Sequence, residues 1–352
     1  MSSKALVQGI NDRKVASLAR AISLVESGRN GYEELLSALH PQVGRANRLG
    51  ITGPPGAGKS TLIEELVKAY RGQEKRVAVV AVDPTSPFTG GALLGDRIRM
   101  ESLTLDPGVF IRSMATRGGS GGLATTTREV CDVLDAFGFD RIIIETVGVG
   151  QSELAIAGSA DTTALVLVPE SGDGVQVLKA GVMEIADLYV VNKADRPGAD
   201  RLVQELEIML GIRQGNALRH ITAHHGPVGD GADGADGAGG RRMARPAERG
   251  AEQWIPPVLQ TSAVKGEGIE ALIDALEAHH TRLESTGQLQ ALRRERLARH
   301  TRDVVDRALS TLVWEKHDGD ALLQAGLDDV VSGRISPYRL ARDIVSGLLK
   351  EK

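Results

Sequence analysis

The run GITGPPGAGKST, residues 50–61, sets Gly53, Gly58, Lys59 and Ser60 at the spacing G-x-x-x-x-G-K-S. A short apolar run, RLGIT (48–52), leads into it, ending its strand near Ile51, and a helical pattern opens at Thr61. That strand–loop–helix context is what a phosphate-binding loop requires. Gly56 and Gly58, with Ala57 between them, let backbone N–H groups curl around phosphates without a Cβ in the way. The helix N-terminus aims its dipole at the same anion. Lys59 is expected to reach the β- and γ-phosphates, the Ser60 hydroxyl to ligate Mg2+, and Thr61 to join the nucleotide contacts. The plainer alternative is a glycine-rich turn between strand and helix.

Outward from the loop, short β-branched runs alternate with helical stretches. RVAVVAVD (76–83), VFIRS (109–113), RIIIET (141–146), TTALVLVP (162–169), LYVVN (188–192) and PVLQTS (257–262) suit strands covered on both faces. Helical stretches between them, such as Thr61–Tyr70 and Thr126–Phe137, make βαβ crossovers. The fold class is therefore α/β: a P-loop NTPase with a mostly parallel central sheet flanked by helices. Residues 5–40 read as added N-terminal helices, with Val15, Leu18, Ala19, Ile22 and Val25 on one stripe. We expect an N-terminal helical segment over 1–46, a nucleotide-binding (G) domain over 47–283 and a C-terminal helical segment over 284–352. Within the middle one, residues 213–253 are so rich in Gly, Asp, Ala and Arg that they predict a flexible surface insertion.

Composition narrows the class. The 352 residues are 41% apolar but only 3% aromatic, so the core must be built from Val, Ile, Leu and Ala. A net charge of −4 lacks the basic surplus of a nucleic-acid binder. No run approaches the length needed to cross a bilayer, and the polar start MSSKALVQGINDRK carries no apolar signal core. A cytoplasmic protein with no membrane partner is the expectation. Cys131, alone in the chain and at helical spacing, reads as a buried structural thiol.

The base is read by a second motif. Asn192-Lys193-Ala194-Asp195 follows LYVV directly. Asp195 can accept from the ring N–H and the exocyclic amino group of guanine, a donor pair adenine lacks, and a wrong base would leave a carboxylate unpaired. Asn192 is expected to pin the imidazole edge and neighbouring backbone, with the Lys193 stem along the purine face. Thr261-Ser262-Ala263, after another strand run, offers backbone to the guanine carbonyl oxygen. GTP and GDP are thus the expected ligands.

For Mg2+ the candidates are Ser60, Asp83, Asp96 and Glu145. Asp83 and Glu145 end strand runs, where open α/β sheets face their ligands, and Asp96 lies in the glycine-punctuated loop after Asp83. Glu145-Thr-Val-Gly148 has the form of the Asp-x-x-Gly switch with Glu for Asp, and Gly148 could donate its N–H to a γ-phosphate. Each acid could instead cap a helix or pair with an arginine. Lys59, Glu145 and Lys179 are the candidate catalytic groups. Lys179, or Arg117 in SMATRGGSGGLA, could neutralise charge on the transferring phosphoryl group or remain a solvated loop charge. Gln151 is a weak candidate for holding the attacking water, so slow intrinsic hydrolysis is expected.

VDPTSP, GDRIRM, RGGSGGLA and ETVGVGQSE, with ARAISLVES near the start and RISPYRLARDIVSGLL near the end, resemble the MeaB/ArgK/MMAA family of P-loop GTPases. The likeness spans essentially the whole chain apart from 213–253. It implies a G-protein chaperone that loads and protects an adenosylcobalamin-dependent acyl-CoA mutase, usually methylmalonyl-CoA mutase. It also implies a homodimer through the C-terminal helices. In family terms Lys59, Ser60, Asp83, Asp96 and Glu145 match phosphate and Mg2+ positions. The loop with Asp173 and Lys179 matches a further switch facing the mutase. Alternatives are a nickel-delivery GTPase for hydrogenase or urease, or a kinase linked to amino-acid transport. The first needs thiol or imidazole ligands; His220, His224 and His225 border the insertion, and His279-His280 are expected on a helix surface.

Overall fold

The computed structural model describes residues 2–83, 103–115, 120–146, 158–169, 182–213 and 254–350. They divide into two units, Met1–Gln290 and Ala291–Lys352.

The first unit is built on β1 (Asn47–Thr52), β2 (Val77–Asp83), β3 (Val109–Ala115), β4 (Arg141–Thr146), β5 (Thr162–Leu167), β6 (Leu188–Val191) and β7 (Val258–Gln260). They form one parallel sheet in the order β3-β2-β4-β1-β5-β6-β7. The strand carrying the phosphate loop, β1, sits in the middle between β4 and β5, where the chain's path across the sheet reverses. At such a switch point ligands meet the carboxyl ends of the strands. The helices of this unit are α1 (Ser3–Asn11), α2 (Val15–Ser27), α3 (Tyr32–Leu39), α4 (Lys59–Gly72), α5 (Ser120–Phe137), α6 (Ala199–Arg213) and α7 (Ile269–Ser285), with α8 (Gln288–Thr311) following.

Side-chain alternation along each strand divides the core between the two faces. Ala78, Val80, Val82, Ile142 and Ile144 pack against α1–α3 and α5. Their neighbours Val77, Val79 and Ile143, with Leu49 and Ile51, pack against α4 and α7. Leu165, Leu167, Tyr189 and Val191 are covered by α6. Each such aliphatic side chain contributes roughly 1.5–3 kcal/mol on burial, so the aliphatic core expected from composition suffices without many rings. On α2 the buried face is Leu18, Ala21, Ile22 and Val25; Val15, predicted to share it, is 56% exposed in the first turn. Cys131 is buried in α5, and burial pushes its thiol up to about 12.

His279 differs from expectation. It falls on the buried stripe of α7 with Leu272, Leu276 and Leu283, not on the helix surface. Its Nδ1 lies 2.9 Å from Thr162 Oγ1, and its ring centroid is 4.8 Å from that of Trp254. Trp254 Nε1 donates to the carbonyl of Asp187 at 2.8 Å, fixing the chain just before β7.

The second unit contains most of α8, a π-helical turn (Leu312–Lys316), α9 (Gly319–Val331) and α10 (Pro337–Lys350). Val313, Trp314, Leu327, Leu340 and Ile344 line an apolar cavity of about 300 Å3 within it. Among the described residues no helix is long and apolar enough to cross a membrane.

Candidate functional site

The phosphate loop leaves β1 at Thr52 and enters α4 at Lys59, two residues before the helix start expected from the sequence. Gly53 has φ +145°, and a Cβ there would meet the backbone oxygen of Val166 at 2.1 Å. The loop is pressed onto β5 and only glycine fits. Gly58 is limited from the other side, since its Cβ would lie 2.6 Å from Asn192 Nδ2 at φ +83°. Gly56 has φ +76° but open space beside it, so backbone conformation alone favours glycine there. Lys59 is nearly buried, and its Nζ donates to the carbonyls of Gly53 at 2.8 Å and Pro54 at 3.0 Å. The ammonium therefore lies inside the loop's own curve.

The base-reading motif begins at the tip of β6 and touches this loop. Asn192, 1% exposed, donates from Nδ2 to the carbonyl of Ala57 at 2.9 Å. Its Oδ1 accepts from Thr261 Oγ1 at 3.1 Å and from the Ala263 backbone N–H at 3.2 Å. One carboxamide thus ties the phosphate loop, the tip of β6 and the segment after β7 together. Lys193 takes a left-handed φ of +56°, which turns the chain so that Asp195 comes back toward Ser262. Ser262 Oγ donates to Asp195 Oδ1 at 2.8 Å. That hydrogen bond, followed by one from the residue's own backbone, holds the Asp195 carboxyl below the usual carboxylate range. The group is ionised at neutral pH and so offers acceptors only. The sequence suggested only backbone for Ser262; its hydroxyl orients the acid as well. The pairing of Ser262 with Asp195 spans two separate strand tips, so no local signal could have shown it.

At the phosphate end, Ser60 Oγ donates to Glu145 Oε1 at 2.9 Å. Glu145 is 4% exposed at the end of β4, in register with Ile51 of β1. The backbone of Asp83 ends β2, opposite Ala115, on the same edge of the sheet. A hydroxyl and a carboxylate side by side give an all-oxygen donor set, which suits a hard divalent cation such as Mg2+. Thr52 and Thr146, which the sequence did not single out, end their strands beside this pair with their hydroxyls 3.0 Å apart. The Asp83 side chain, Asp96, Arg117, Gly148, Gln151, Asp173, Lys179, the three histidines near 220–225 and residues 214–253 lie outside the described residues.

The family described as "Methylmalonyl Co-A mutase-associated GTPase MeaB" matches residues 18–318. The chain belongs to the MeaB family. It is 42% identical over 336 residues to a candidate GTPase of Pyrococcus abyssi, covering 94% of this chain and 92% of that one. It is 33% identical over 326 residues to the GTPase ArgK of Escherichia coli K12, covering 92% and 89%. Among solved structures, the crystal structure of a LAO/AO transport system kinase is similar with a TM-score of 0.62 and 26% identity, over 99% of this chain and 98% of that one. In this MeaB-family chain one buried asparagine ties the Asn192–Asp195 motif to the Gly53–Ser60 loop.

Proposed function

We infer that this MeaB-family protein binds GTP across the tips of β1, β4, β6 and β7, hydrolyses it slowly, and assists an adenosylcobalamin-dependent acyl-CoA mutase in cofactor loading and protection. The observation that carries the nucleotide reading is the hydrogen bond from Asn192 to Ala57, which joins the Asn192–Asp195 motif to the Gly53–Ser60 loop and so supports one pocket for purine and triphosphate. In it Asp195 and the backbone after β7 read guanine. Gly53, Gly56, Ala57, Gly58 and Thr61 wrap the phosphates, and Lys59 exchanges its loop carbonyls for phosphate oxygens. Ser60 and Glu145 fit Mg2+ by chemistry and proximity, and Asp83 and Asp96 complete the set in this reading. When bound, the cation neutralises charge on the phosphoryl oxygens. Lys59 adds fixed positive charge where the γ-phosphoryl group departs, with Lys179 and the Gly148 N–H as further donors. With Gln151 the nearest glutamine to the switch in sequence, hydrolysis without a partner is slow.

Support for methylmalonyl-CoA mutase as client comes from the family's description. Homodimerisation through segment 284–352 accounts for exposed apolar residues such as Leu297, Val305, Leu309, Val331 and Tyr338. Residues 1–46 then cover one face of the GTPase domain, 47–283.

Calorimetry with Lys59→Ala tests the nucleotide site: GTP binding should vanish, and unchanged affinity would overturn the assignment. Purified mutase should form a complex and raise GTP turnover. No complex and no rate change with any such mutase would remove the client. Phosphate release without a phosphoryl acceptor separates this reading from the kinase suggested by the name of the similar crystal structure.

A further inference from the structure

The backbone register of β1 with β4 ends at Ile51 opposite Glu145. One residue further, each strand is still paired on its far side, Thr52 with Leu165 of β5 and Thr146 with Val82 of β2. Among the described residues, no backbone pair joins β1 to β4 beyond Ile51 and Glu145. At that end of the two strands the Thr52 and Thr146 hydroxyls lie 3.0 Å apart, either able to donate, and both residues are 0% exposed.

The bridge sits at the root of both halves of the site. Thr52 precedes Gly53, whose carbonyl accepts from Lys59. Thr146 follows Glu145, whose carboxylate accepts from Ser60. Two valines would fill the same space, and replacing both partners of a buried hydrogen bond by isosteric apolar groups is nearly neutral for stability. Packing alone therefore gives no reason for hydroxyls here. We propose that Thr146, acting through Thr52, is a positioning residue that sets the distance between Glu145 and Ser60, and with it the response of bound nucleotide to Mg2+. This rests on the reading of Ser60 and Glu145 as the Mg2+ side of the nucleotide pocket.

The test uses the full chain and four variants: Thr146→Val, Thr146→Ser, Thr52→Val and the double valine. GDP affinity is measured by calorimetry with Mg2+ and with EDTA, and melting temperature is followed in parallel. Thr146→Val should lower the Mg2+-dependent gain in affinity about three- to tenfold, the size of one lost hydrogen bond, with the EDTA affinity unchanged. Thr146→Ser should recover the gain. The double valine should regain the melting temperature but not the Mg2+ response, which a purely structural role would restore as well. A double valine with wild-type Mg2+ response overturns the proposal, as does an equal loss in Mg2+ and EDTA. Should Thr146→Val fail to fold, the serine and double-valine variants decide. Wild-type affinity indifferent to Mg2+ would overturn the metal assignment itself and this inference with it.

Discussion

Asn192 holds Ala57 of the phosphate loop at 2.9 Å while its other carboxamide atom is held by Thr261 and Ala263. Its three partners stand 135, 69 and 71 residues away along the chain, the first in the phosphate loop and the other two in the single segment after β7. The amide thus converts three separate loops into one rigid corner.

Removing that corner should cost both stability and binding. Asn192→Ala deletes three buried hydrogen bonds, so unfolding free energy should fall by about 2–4 kcal/mol. Urea melts give that value, and calorimetry on the folded variant should show GTP affinity reduced at least tenfold. Loss of stability with full affinity would limit Asn192 to a structural role.

Asp195 decides the base. Asp195→Asn replaces one acceptor by an N–H2 donor, which the C2 carbonyl of xanthine can accept and the C2 amino group of guanine cannot. GTP affinity should drop by about 10²- to 10³-fold and XTP affinity should rise. Competition binding with the two triphosphates checks this; unaltered preference would place the base elsewhere.

Gly53→Ala adds a Cβ against the backbone oxygen of Val166 at 2.1 Å. Backbone cannot step aside as a long side chain can, and left-handed φ is strained for alanine as well. The expected cost is about 2–4 kcal/mol together with loss of GTP binding. Gly56→Ala, with open space, should be much milder, and melting curves of the pair test the contrast.

Cys131 should resist alkylation. Burial raises its thiol from an ordinary value of 9.0 to about 12, so the native protein carries almost no thiolate at pH 8. Iodoacetamide should label it only after denaturant is added. By the same sign, the thiol favours the folded state below pH 9, and that contribution is lost as pH rises from 9 toward 12. Rapid labelling of the native chain would contradict the buried position.

Sequence alone determined the strand runs, the phosphate loop and the guanine tetrapeptide, because each depends on neighbours within a dozen residues. Short continuous apolar runs and glycines at set spacing are local properties that survive in a string of letters. The burial of His279 was misread as a surface position, although it shares the three- and four-residue spacing of Leu272, Leu276 and Leu283. The tertiary structure alone decided that β1 lies between β4 and β5, that Ser262 orients Asp195, and that Thr52 meets Thr146. Those pairs stand 67 and 94 residues apart, and only the closing of the parallel sheet brings their hydroxyls within hydrogen-bonding reach. Strand order follows from which apolar faces the helices cover, a global packing choice that no short window of sequence contains.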